Sequence, residues 1–291
     1  MKTLALYRYL IIILIIAVNL SAFSDDSPIS LSSNAVDQGK VIFVKIFTKD
    51  NEEPSLKWMN RKITLLYRPD KKFYEGFVAA DLEQKPGTYN LDLNFEPSGE
   101  KKQVKIKVIK KDYGVRKITI ADDSKVNLNE KDLARANRES ATMNKLWDAS
   151  ISAPFWDTPF IMPLGSEVIG TFGRRSIIND QPRSPHSGVD MRGKNGTPVK
   201  ASNDGLVVLT GDHFFTGNTV VIDHGAGILS MYFHLAKINV KKGDKISRGE
   251  VLGTVGSTGR VTGPHLHWGL RVDGQRVDPV SFVEISNKLE E

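Results

Sequence analysis

Short segments that are rich in apolar side chains, some of them alternating with polar ones, recur along this 291-residue chain. The clearest is KKQVKIKVIKK, where Val104, Ile106 and Val108 alternate with Lys105 and Lys107. Successive side chains of a β-strand point to opposite faces, so this pattern predicts a strand with one buried face. A chain built mainly from such segments buries its apolar faces by stacking or closing sheets, and we predict an all-β protein.

Five of these segments follow one another between about Ile29 and Ile120. They are KVIFVKIF, RKITLLYR, KFYEGFVAA, GTYNLDLNF and KKQVKIKVIKK, with the turn signals RPDKK, EQKPG and EPSGE between several of them. Short strands at this spacing are typical of an immunoglobulin-like β-sandwich, which we assign to residues 25–120. Its many lysines are interpreted as a solvated face that opposes edge-to-edge aggregation.

Helical spacing follows between about Asn127 and Asp148. Its recurring side chains are Leu133, Ala136, Ser140, Met143 and Trp147. We predict one helix here, with Asn127 or Asn129 as its N-cap. The proline-rich segment APFWDTPFIMPLG that follows is expected to be extended. Residues 121–158 are therefore assigned as a helical linker and entry segment.

From Gly165 onward the chain reads as glycine-rich β-structure without a helix. Strands are predicted in PVKASNDGLVVLTG, NTVVIDHG, ILSMYFHLAKI, EVLGTVGSTG and HLHWGLRVDG. The segments GTPVKASNDGLVV and VKKGDKISRGEVLGTVG resemble the hairpins of lipoyl and biotinyl carriers, but they have no exposed lysine tip to carry a cofactor. This antiparallel domain is assigned to residues 159–287, and a fragment of roughly Pro154 to Glu291 is expected to fold alone.

The N-terminus has the features of a secretory signal. Lys2 and Arg8 precede the apolar run YLIIILIIAVNL, and the small residues Ala22 and Ser24 precede DDSP. We predict a 24-residue signal peptide that is cleaved after Ser24, which leaves an exported protein with no membrane domain. The alternative is a retained N-terminal anchor, although Leu10 to Val18 is short for a bilayer. The expected location is the periplasm, the cell envelope or the extracellular space.

The chain contains no cysteine, which excludes disulfides, a thiolate nucleophile and any zinc site built on sulfur. A bound metal must therefore be held by histidine and carboxylate. The formal net charge is +6 and falls to +4 without Lys2 and Arg8 of the signal. This small excess suits contact with an anionic surface or polymer but is too low to indicate a nucleic-acid partner. We expect a monomer.

Two of the six histidines stand one residue apart in TGPHLHWGL. On a strand His265 and His267 project from the same face, while Leu266 and Trp268 face the core. A lone buried histidine is usually a hydrogen-bonded core residue. Two imidazoles on one face of an apolar strand are poorly explained by packing, so the pair indicates chemistry.

Two further segments bring histidine together with polar partners. In PHSGVDMRG, His186 and Asp190 flank Gly188 in a predicted loop-to-strand turn, where both could reach one ion. In ILSMYFHLAKI, His234 is expected on a polar face beside Tyr232, which is a candidate substrate contact. The alternating apolar set of that strand is expected to face inward: Leu229, Met231, Phe233 and Leu235.

Zinc in hydrolases is commonly held by three histidine or carboxylate ligands, which leave a fourth position open for water. His186, Asp190 and one of His265 and His267 would supply such a set, and spacing alone does not rank the pair. His234 and the other histidine of the pair could then serve as general base and as oxyanion stabiliser or proton donor.

The segments HSGVD, GTPVKASNDGLVV, VVIDHGAG, MYFHLAKINVKKGDKISRGEVLGTVGSTG and TGPHLHWGL together resemble the lysostaphin/LytM-type zinc endopeptidases from about Gly165 to Val283. The resemblance implies an exported bacterial enzyme with one zinc ion per chain. Its substrate would be the peptide cross-links or stem peptides of peptidoglycan. By the same resemblance His186, Asp190 and His267 are zinc ligands, and His234 and His265 are catalytic.

An alternative function is a non-catalytic cell-wall-binding activator of other wall hydrolases, a role known for this fold when its ligands are lost. The complete ligand and histidine set favours the enzyme, and a phosphoesterase would need more carboxylates for a second metal. Arg174 in TFGRR is a candidate substrate contact, and the loop GSTGRVTGP is a candidate wall of the cleft. His213 and His224 are expected to be structural.

Overall fold

The structure is a computed structural model that describes residues 27–49, 51–119, 127–147, 151 and 153–290. The predicted signal peptide lies outside these residues. The described chain forms 22 β-strands and two α-helices, so the all-β prediction is confirmed. Neither of these helices is long and apolar enough to cross a membrane.

The N-terminal strands form a sandwich of two sheets. One sheet has the order β1 (Ile29–Leu31), β3 (Val41–Phe47), β7 (Phe73–Ala79) and β6 (Leu66–Arg68). The other has the order β2 (Ala35–Asp37), β9 (Lys101–Ile109), β8 (Gly87–Glu96), β4 (Glu53–Trp58) and β5 (Arg61–Ile63). Fully buried side chains from both sheets, such as Val44, Leu56, Leu91 and Ile106, pack into one core, as the sequence pattern predicts.

The segment RKITLLYR was predicted as one strand, and this was wrong. Ile63 ends β5 in one sheet, whereas Leu66 begins β6 in the other. Both side chains are buried, but in two different hydrophobic clusters. On a single strand Ile63 and Leu66, three residues apart, would face opposite sides of one sheet. Both side chains become buried because the chain crosses from one sheet to the other between them.

Helix α1 (Glu130–Asn144) precedes the main C-terminal sheet in the chain. Its N-cap is Asn129, one of the two predicted asparagines. The side-chain oxygen of Asn129 accepts a hydrogen bond from the Asp132 amide at 2.9 Å. The helix buries Ala136, while Leu133 is 48% exposed. The segment at its C-terminal end packs on one face of the C-terminal sheet. That contact joins Met143, Leu146 and Trp147 to Val221, Leu229, Met231 and Phe233.

The C-terminal domain is built on a ten-stranded, mainly antiparallel sheet. Its main path runs β11 (Val168–Gly170), β14 (Gly188–Arg192), β21 (His265–Val272), β18 (Ile228–Ile238), β17 (Gly217–Gly225), β16 (Gly205–His213) and β19 (Lys245–Ile246). Beside this path β15 (Pro198–Lys200) pairs with β20 (Val251–Val255), β20 also pairs with β18, and β22 (Gln275–Val277) pairs with β21. The segment PVKASNDGLVVLTG thus forms two strands and not one.

A small separate sheet covers one side of this domain. It consists of β10 (Val115–Ile118), β12 (Arg175–Ile178) and β13 (Gln181–Pro182). Strand β10 comes from the chain that leaves the N-terminal sandwich, and it pairs in parallel with β12. The register places Arg116 opposite Ser176, so the interdomain segment becomes part of the C-terminal domain.

The prediction that no helix follows Gly165 was wrong at the end of the chain. Helix α2 (Pro279–Ser286) is followed by a 3-10 turn (Asn287–Glu290). The Asp278 side chain accepts a hydrogen bond from the Val280 amide, and Pro279 occupies the first turn. Asp-Pro is a helix-start signal because the cap supplies an acceptor and proline needs no amide partner there. The sequence carried this signal.

The two domains share one hydrophobic core. The ring of Phe77 in the sandwich lies 5.0 Å from Phe282 of α2 and 6.3 Å from Trp156 of the entry segment. Phe282 also contacts Phe160 at 5.1 Å. Arg276 adds an ion pair to Asp81 across the same junction. The predicted boundary between residues 158 and 159 therefore does not separate two independent hydrophobic cores. This argues against the expectation that the fragment from Pro154 to Glu291 folds alone.

Candidate metal centre and active site

The pairing of β14 with β21 brings the predicted site residues to one face of the sheet. Asp190 lies directly opposite His267, and Arg192 lies opposite His265. Directly paired antiparallel residues project from the same face, so Asp190, His265 and His267 project together. Leu266 and Trp268 are fully buried on the other face, as the sequence alternation predicts.

Three side chains converge at this face. The Nε2 atom of His186, which precedes β14, lies 3.0 Å from Asp190 Oδ1 and 2.9 Å from His267 Nδ1. His267 Nδ1 is in turn 3.1 Å from the same Asp190 oxygen. These three atoms form a group that could hold a metal ion. His265 is less close, with its Nε2 3.6 Å from Asp190 Oδ1.

The protonation states of the group suit a cation. Burial raises the pKa of Asp190, but hydrogen bonds to His186 and His267 outweigh burial and hold this pKa well below its usual range. Burial lowers the pKa of His267, which favours a neutral imidazole. His186 Nδ1 lies 3.0 Å from the Thr171 carbonyl, which can only accept. The Nδ1 proton is therefore taken up by this carbonyl, and a cation that replaced the proton shared between Nε2 and Asp190 would meet a lone pair on Nε2.

The donor set fits zinc in number, type and spacing. Two imidazoles and one carboxylate are a common catalytic zinc set, with metal–ligand distances of about 2.0–2.2 Å. Tetrahedral ligands at that distance lie roughly 3.3 Å from one another. The observed separations of 2.9–3.1 Å fall only a few tenths of an ångström short of this value. The Thr171 carbonyl on His186 is the kind of outer partner that orients metal-binding histidines.

His234 reaches the same site because β18 is irregular at this residue. Its φ is 64°, and the β17–β18 register shifts between the pairs Asn218–Leu235 and Val220–Tyr232. The His234 ring centroid lies 5.0 Å from that of His265 and 6.1 Å from that of His267. In a regular strand His234 would lie on the same face as Tyr232. The bulge at this position turns the His234 side chain towards His265 and His267 instead.

Both additional histidines are held in one tautomer. His234 Nδ1 lies 2.9 Å from the Thr258 carbonyl, and His265 Nδ1 lies 2.9 Å from the Gly263 carbonyl. Because carbonyls only accept, both Nδ1 atoms carry protons and both Nε2 atoms are free of them in the neutral rings. Burial, followed by the neighbouring His267 and His265, lowers the pKa of His234 to about 3.

The packing around the group restricts movement of the ligands. The Phe233 ring stacks on His267 with centroids 5.2 Å apart and planes within 4°. Gly170 and Gly188 sit against the ligands themselves. A Cβ at Gly170 would lie 2.8 Å from Asp190 Cγ, and one at Gly188 would lie 2.7 Å from His267 Nε2. These two glycines were not among the predicted site residues.

The expectation that Tyr232 contacts substrate was wrong. Its side chain is fully buried, and its hydroxyl accepts a hydrogen bond from the Ser202 amide at 2.8 Å. The prediction assumed that β18 has one apolar and one polar face. Both faces are buried, one by the central core and the other partly by the segment that follows α1. Tyr232 belongs to the central core.

The two histidines predicted to be structural lie elsewhere. His224 is fully buried, with Nδ1 2.7 Å from the Asp204 carbonyl and Nε2 2.7 Å from Ser230 Oγ. His213 is buried at the end of β16 and lies within hydrogen-bonding distance of the Gly211 carbonyl. Neither lines the cavity that holds the metal group.

The cavity that contains the metal group has a volume of about 320 Å³. Arginines line its walls, but Arg174, the predicted one, is not among them. Arg116, Arg183 and Arg260 line it, the last within the loop predicted as a wall. Arg174 is exposed and is not part of the lining. Its carbonyl instead accepts a hydrogen bond from the His186 amide at 3.0 Å. The sequence offered no signal for Arg116, which precedes the C-terminal domain.

Comparison with known proteins places this site in a family. The model of peptidase family M23 matches residues 184–279, a range that contains the three converging side chains, His234 and His265. The crystal structure of an M23-type protein from Pseudomonas aeruginosa superposes with a TM-score of 0.65 and 31% sequence identity, over 84% of this chain and 94% of that one. This chain belongs to peptidase family M23. The resemblance inferred from its sequence is confirmed.

Two characterised relatives match this M23 domain. The peptidoglycan DD-endopeptidase ShyA of Vibrio cholerae is 54% identical over 95 residues, and the DD-carboxypeptidase/endopeptidase Mpg of Neisseria gonorrhoeae is 47% identical over 96 residues. Each match covers 33% of this chain and 22% of the relative's own length. The similarity therefore concerns the peptidase domain and not the whole of either protein.

Proposed function

We propose that this M23 peptidase is a zinc-dependent endopeptidase that hydrolyses peptide cross-links or stem peptides of peptidoglycan. The observation that carries the proposal is the convergence of the atoms His186 Nε2, Asp190 Oδ1 and His267 Nδ1, with His234 and His265 in the same cavity. The first three residues would hold the zinc ion. When bound, such an ion acts as a Lewis acid and brings the pKa of coordinated water to about 7.

The remaining two histidines would handle protons. His234 and His265 each tie Nδ1 to a backbone carbonyl, which directs the unprotonated Nε2 of the neutral ring to the opposite side. One can accept a proton from the attacking water, and the other can donate a hydrogen bond to the developing oxyanion once it is protonated. A protonated imidazole can also deliver its proton to the leaving amine.

The relatives support the substrate. ShyA is named a peptidoglycan DD-endopeptidase and Mpg a DD-carboxypeptidase/endopeptidase. We assign the same class of peptide substrate to this chain, acting as an exported monomer in the periplasm or cell envelope after removal of residues 1–24. Residues 25–120 would form the accessory sandwich and supply β10 to the small sheet of the C-terminal domain, residues 121–158 would form the linker, and residues 159–287 the peptidase domain. The accessory sandwich would position the enzyme on the wall or shield the groove.

The test is digestion of purified cross-linked peptidoglycan by the mature full-length chain, with and without a chelator. Mass analysis of the released peptides should show new amine and carboxyl ends, absent with chelator and restored by added zinc. The Arg138→Gln variant changes an exposed arginine of α1 and should digest the wall as the native chain does. Absence of bound zinc together with no digestion after zinc addition would leave the non-catalytic activator as the function.

A further inference from the structure

The candidate ligand His186 is attached to a short loop, residues 171–174, that precedes it in the chain. Its ring Nδ1 lies 3.0 Å from the Thr171 carbonyl. Its backbone carbonyl accepts a hydrogen bond from the Gly173 amide at 2.8 Å, and its own amide donates to the Arg174 carbonyl at 3.0 Å. These contacts fix both the backbone and the ring of His186, so a displacement of the 171–174 loop would displace the ligand.

Tyr113 covers this loop from the chain segment that leaves the sandwich. Its ring packs edge-on against Phe172, with centroids 5.6 Å apart and planes at 83°. The same ring lies directly on Gly173, where a Cβ would overlap it and would be only 2.8 Å from Tyr113 Cδ1. Gly173 has a φ of 76°, a backbone conformation that favours glycine. The loop therefore receives the Tyr113 ring at a position that no larger residue could occupy without a shift.

Tyr113 is itself anchored to the sandwich. Its hydroxyl donates a hydrogen bond to the Gln38 carbonyl at 2.6 Å. The neighbouring Gly39 faces the loop, because a Cβ at Gly39 would lie 3.1 Å from Phe172 Cζ, with Phe172 Cε1 closer still. Phe172 is buried between these groups. The sandwich and the 171–174 loop are therefore in direct contact through Tyr113 and Phe172.

The backbone after Tyr113 continues this contact. The Gly114 carbonyl accepts a hydrogen bond from the Arg175 amide at 3.0 Å, and β10 then pairs in parallel with β12. Because Arg175 begins β12, the loop is held by a ring on its surface and by strand pairing at its end. Both contacts come from residues outside 184–279, the range that the family model matches.

We propose that Tyr113 is a positioning residue for the metal centre, which holds the 171–174 loop and thereby keeps His186 beside Asp190 and His267. Ligand distances in metal sites are set to within about 0.2 Å, and loss of the groups that orient ligands typically lowers metal affinity about 10–100-fold. The inference rests on the zinc site of the proposed function and deepens it, because it makes the docked sandwich part of that site.

The test measures the zinc Kd of the mature full-length chain by competition with a chromophoric chelator. Tyr113→Ala removes the ring and should weaken zinc binding about tenfold or more. Tyr113→Phe keeps the ring on Gly173 and loses only the hydrogen bond to Gln38, so its Kd should stay close to the native value. The visible absorption of the cobalt-substituted protein, which depends on coordination geometry, should change in Tyr113→Ala and be restored in Tyr113→Phe.

Tyr89→Ala is the matched control for a loss of stability in the sandwich. Its ring packs edge-on against Trp58 at 6.0 Å, and its hydroxyl bonds to Gln84 and Lys85, all within the sandwich. This variant should lower the Tm of the metal-free protein while leaving the zinc Kd and the cobalt spectrum native. A change of ligand position is thereby separated from a general loss of stability.

Amide hydrogen exchange of the metal-free protein tests the route through the loop. The amides of Gly173 and His186 should exchange faster in Tyr113→Ala than in the native chain, and at native rates in Tyr89→Ala. An unchanged zinc Kd in Tyr113→Ala, or unchanged exchange at both amides, would overturn the positioning role and leave the endopeptidase in place.

The other variants also decide the question. Equal weakening of zinc binding in Tyr113→Phe or in Tyr89→Ala would show that the ring on Gly173 is not what holds the ligand, and would overturn the inference. Absence of zinc binding by the native chain would overturn the positioning role and the endopeptidase together.

Discussion

Replacement of Gly170 by alanine tests the metal centre without removing a ligand. Gly170 ends β11 and lies opposite Asp190 in the β11–β14 pair. The new Cβ would lie 2.8 Å from Asp190 Cγ and 2.9 Å from Asp190 Cβ, with Asp190 Oδ2 closer still. Nonbonded carbon atoms prefer separations of about 3.5–4.0 Å, so the carboxylate must move by roughly 1 Å.

A shift of that size is large for a metal site. Ligand distances are set to within about 0.2 Å, and disturbing the groups that orient ligands typically costs about 10–100-fold in metal affinity. We therefore expect Gly170→Ala to weaken zinc binding by about 10–100-fold, or about 1.4–2.7 kcal/mol. Competition with a chromophoric chelator measures the change in Kd. The rise in Tm on adding zinc should shrink in parallel.

Gly165→Ala is the matched control, because a Cβ at Gly165 meets no atom within 4 Å. It should bind zinc like the native chain. The Tm of both variants without metal shows whether Gly170→Ala also disturbs folding in the absence of zinc. Native zinc affinity in a folded Gly170→Ala protein would refute the assignment of Asp190 as a ligand and the reasoning built on its position.

Three further predictions concern catalysis, the shared core and pH. His265→Ala should retain zinc, measured by elemental analysis, but lose about 10²–10⁴-fold in turnover because it removes a proton-transfer group; undiminished turnover would exclude that role. Phe282→Ala should lower the free energy of unfolding by about 3–5 kcal/mol, since its fully buried ring contacts Phe77 of the other domain. Denaturant titration measures this loss, and a loss below about 1 kcal/mol would show that the interdomain core contributes little. Burial lowers the pKa of His224 from 6.5 to about 4, so its contribution to stability is complete above pH 6.5 and is lost as the pH falls towards 4. The free energy of unfolding should fall by roughly 3 kcal/mol over this pH range because of His224. In His224→Gln the free energy of unfolding should change less between pH 6.5 and 4. The same pH dependence in both proteins would contradict the assignment of this loss to His224.

Local patterns in the sequence were sufficient for the strands and for part of the site. Alternation in HLHWGL requires His265 and His267 to share a face, because strand periodicity is a local property of the backbone. The same holds for the buried face of KKQVKIKVIKK. For the N-cap of α1 the local pattern offered Asn127 or Asn129, and the structure has Asn129. The missed helix α2 also had a local signal, the Asp-Pro pair at its start.

The position of His234 could not be derived from alternation. A strand without interruption would have put it beside Tyr232 in the core, and only the bulge with positive φ turns it towards His265. The sequence resemblance predicted a catalytic role for His234, and its ring does lie beside His265, but similarity and not strand geometry pointed to this residue. A bulge depends on how two strands pair, which single-strand periodicity does not report.

The arginines of the cavity and the shared core were decided by tertiary structure alone. Arg116 reaches the site because β10 pairs in parallel with β12, a contact between residues sixty positions apart. Phe77 and Phe282 are adjacent only because the two domains pack against each other. Periodicity shows which side chains are buried or share a face. It cannot show which distant surface they meet, since that is set by the packing of the whole chain.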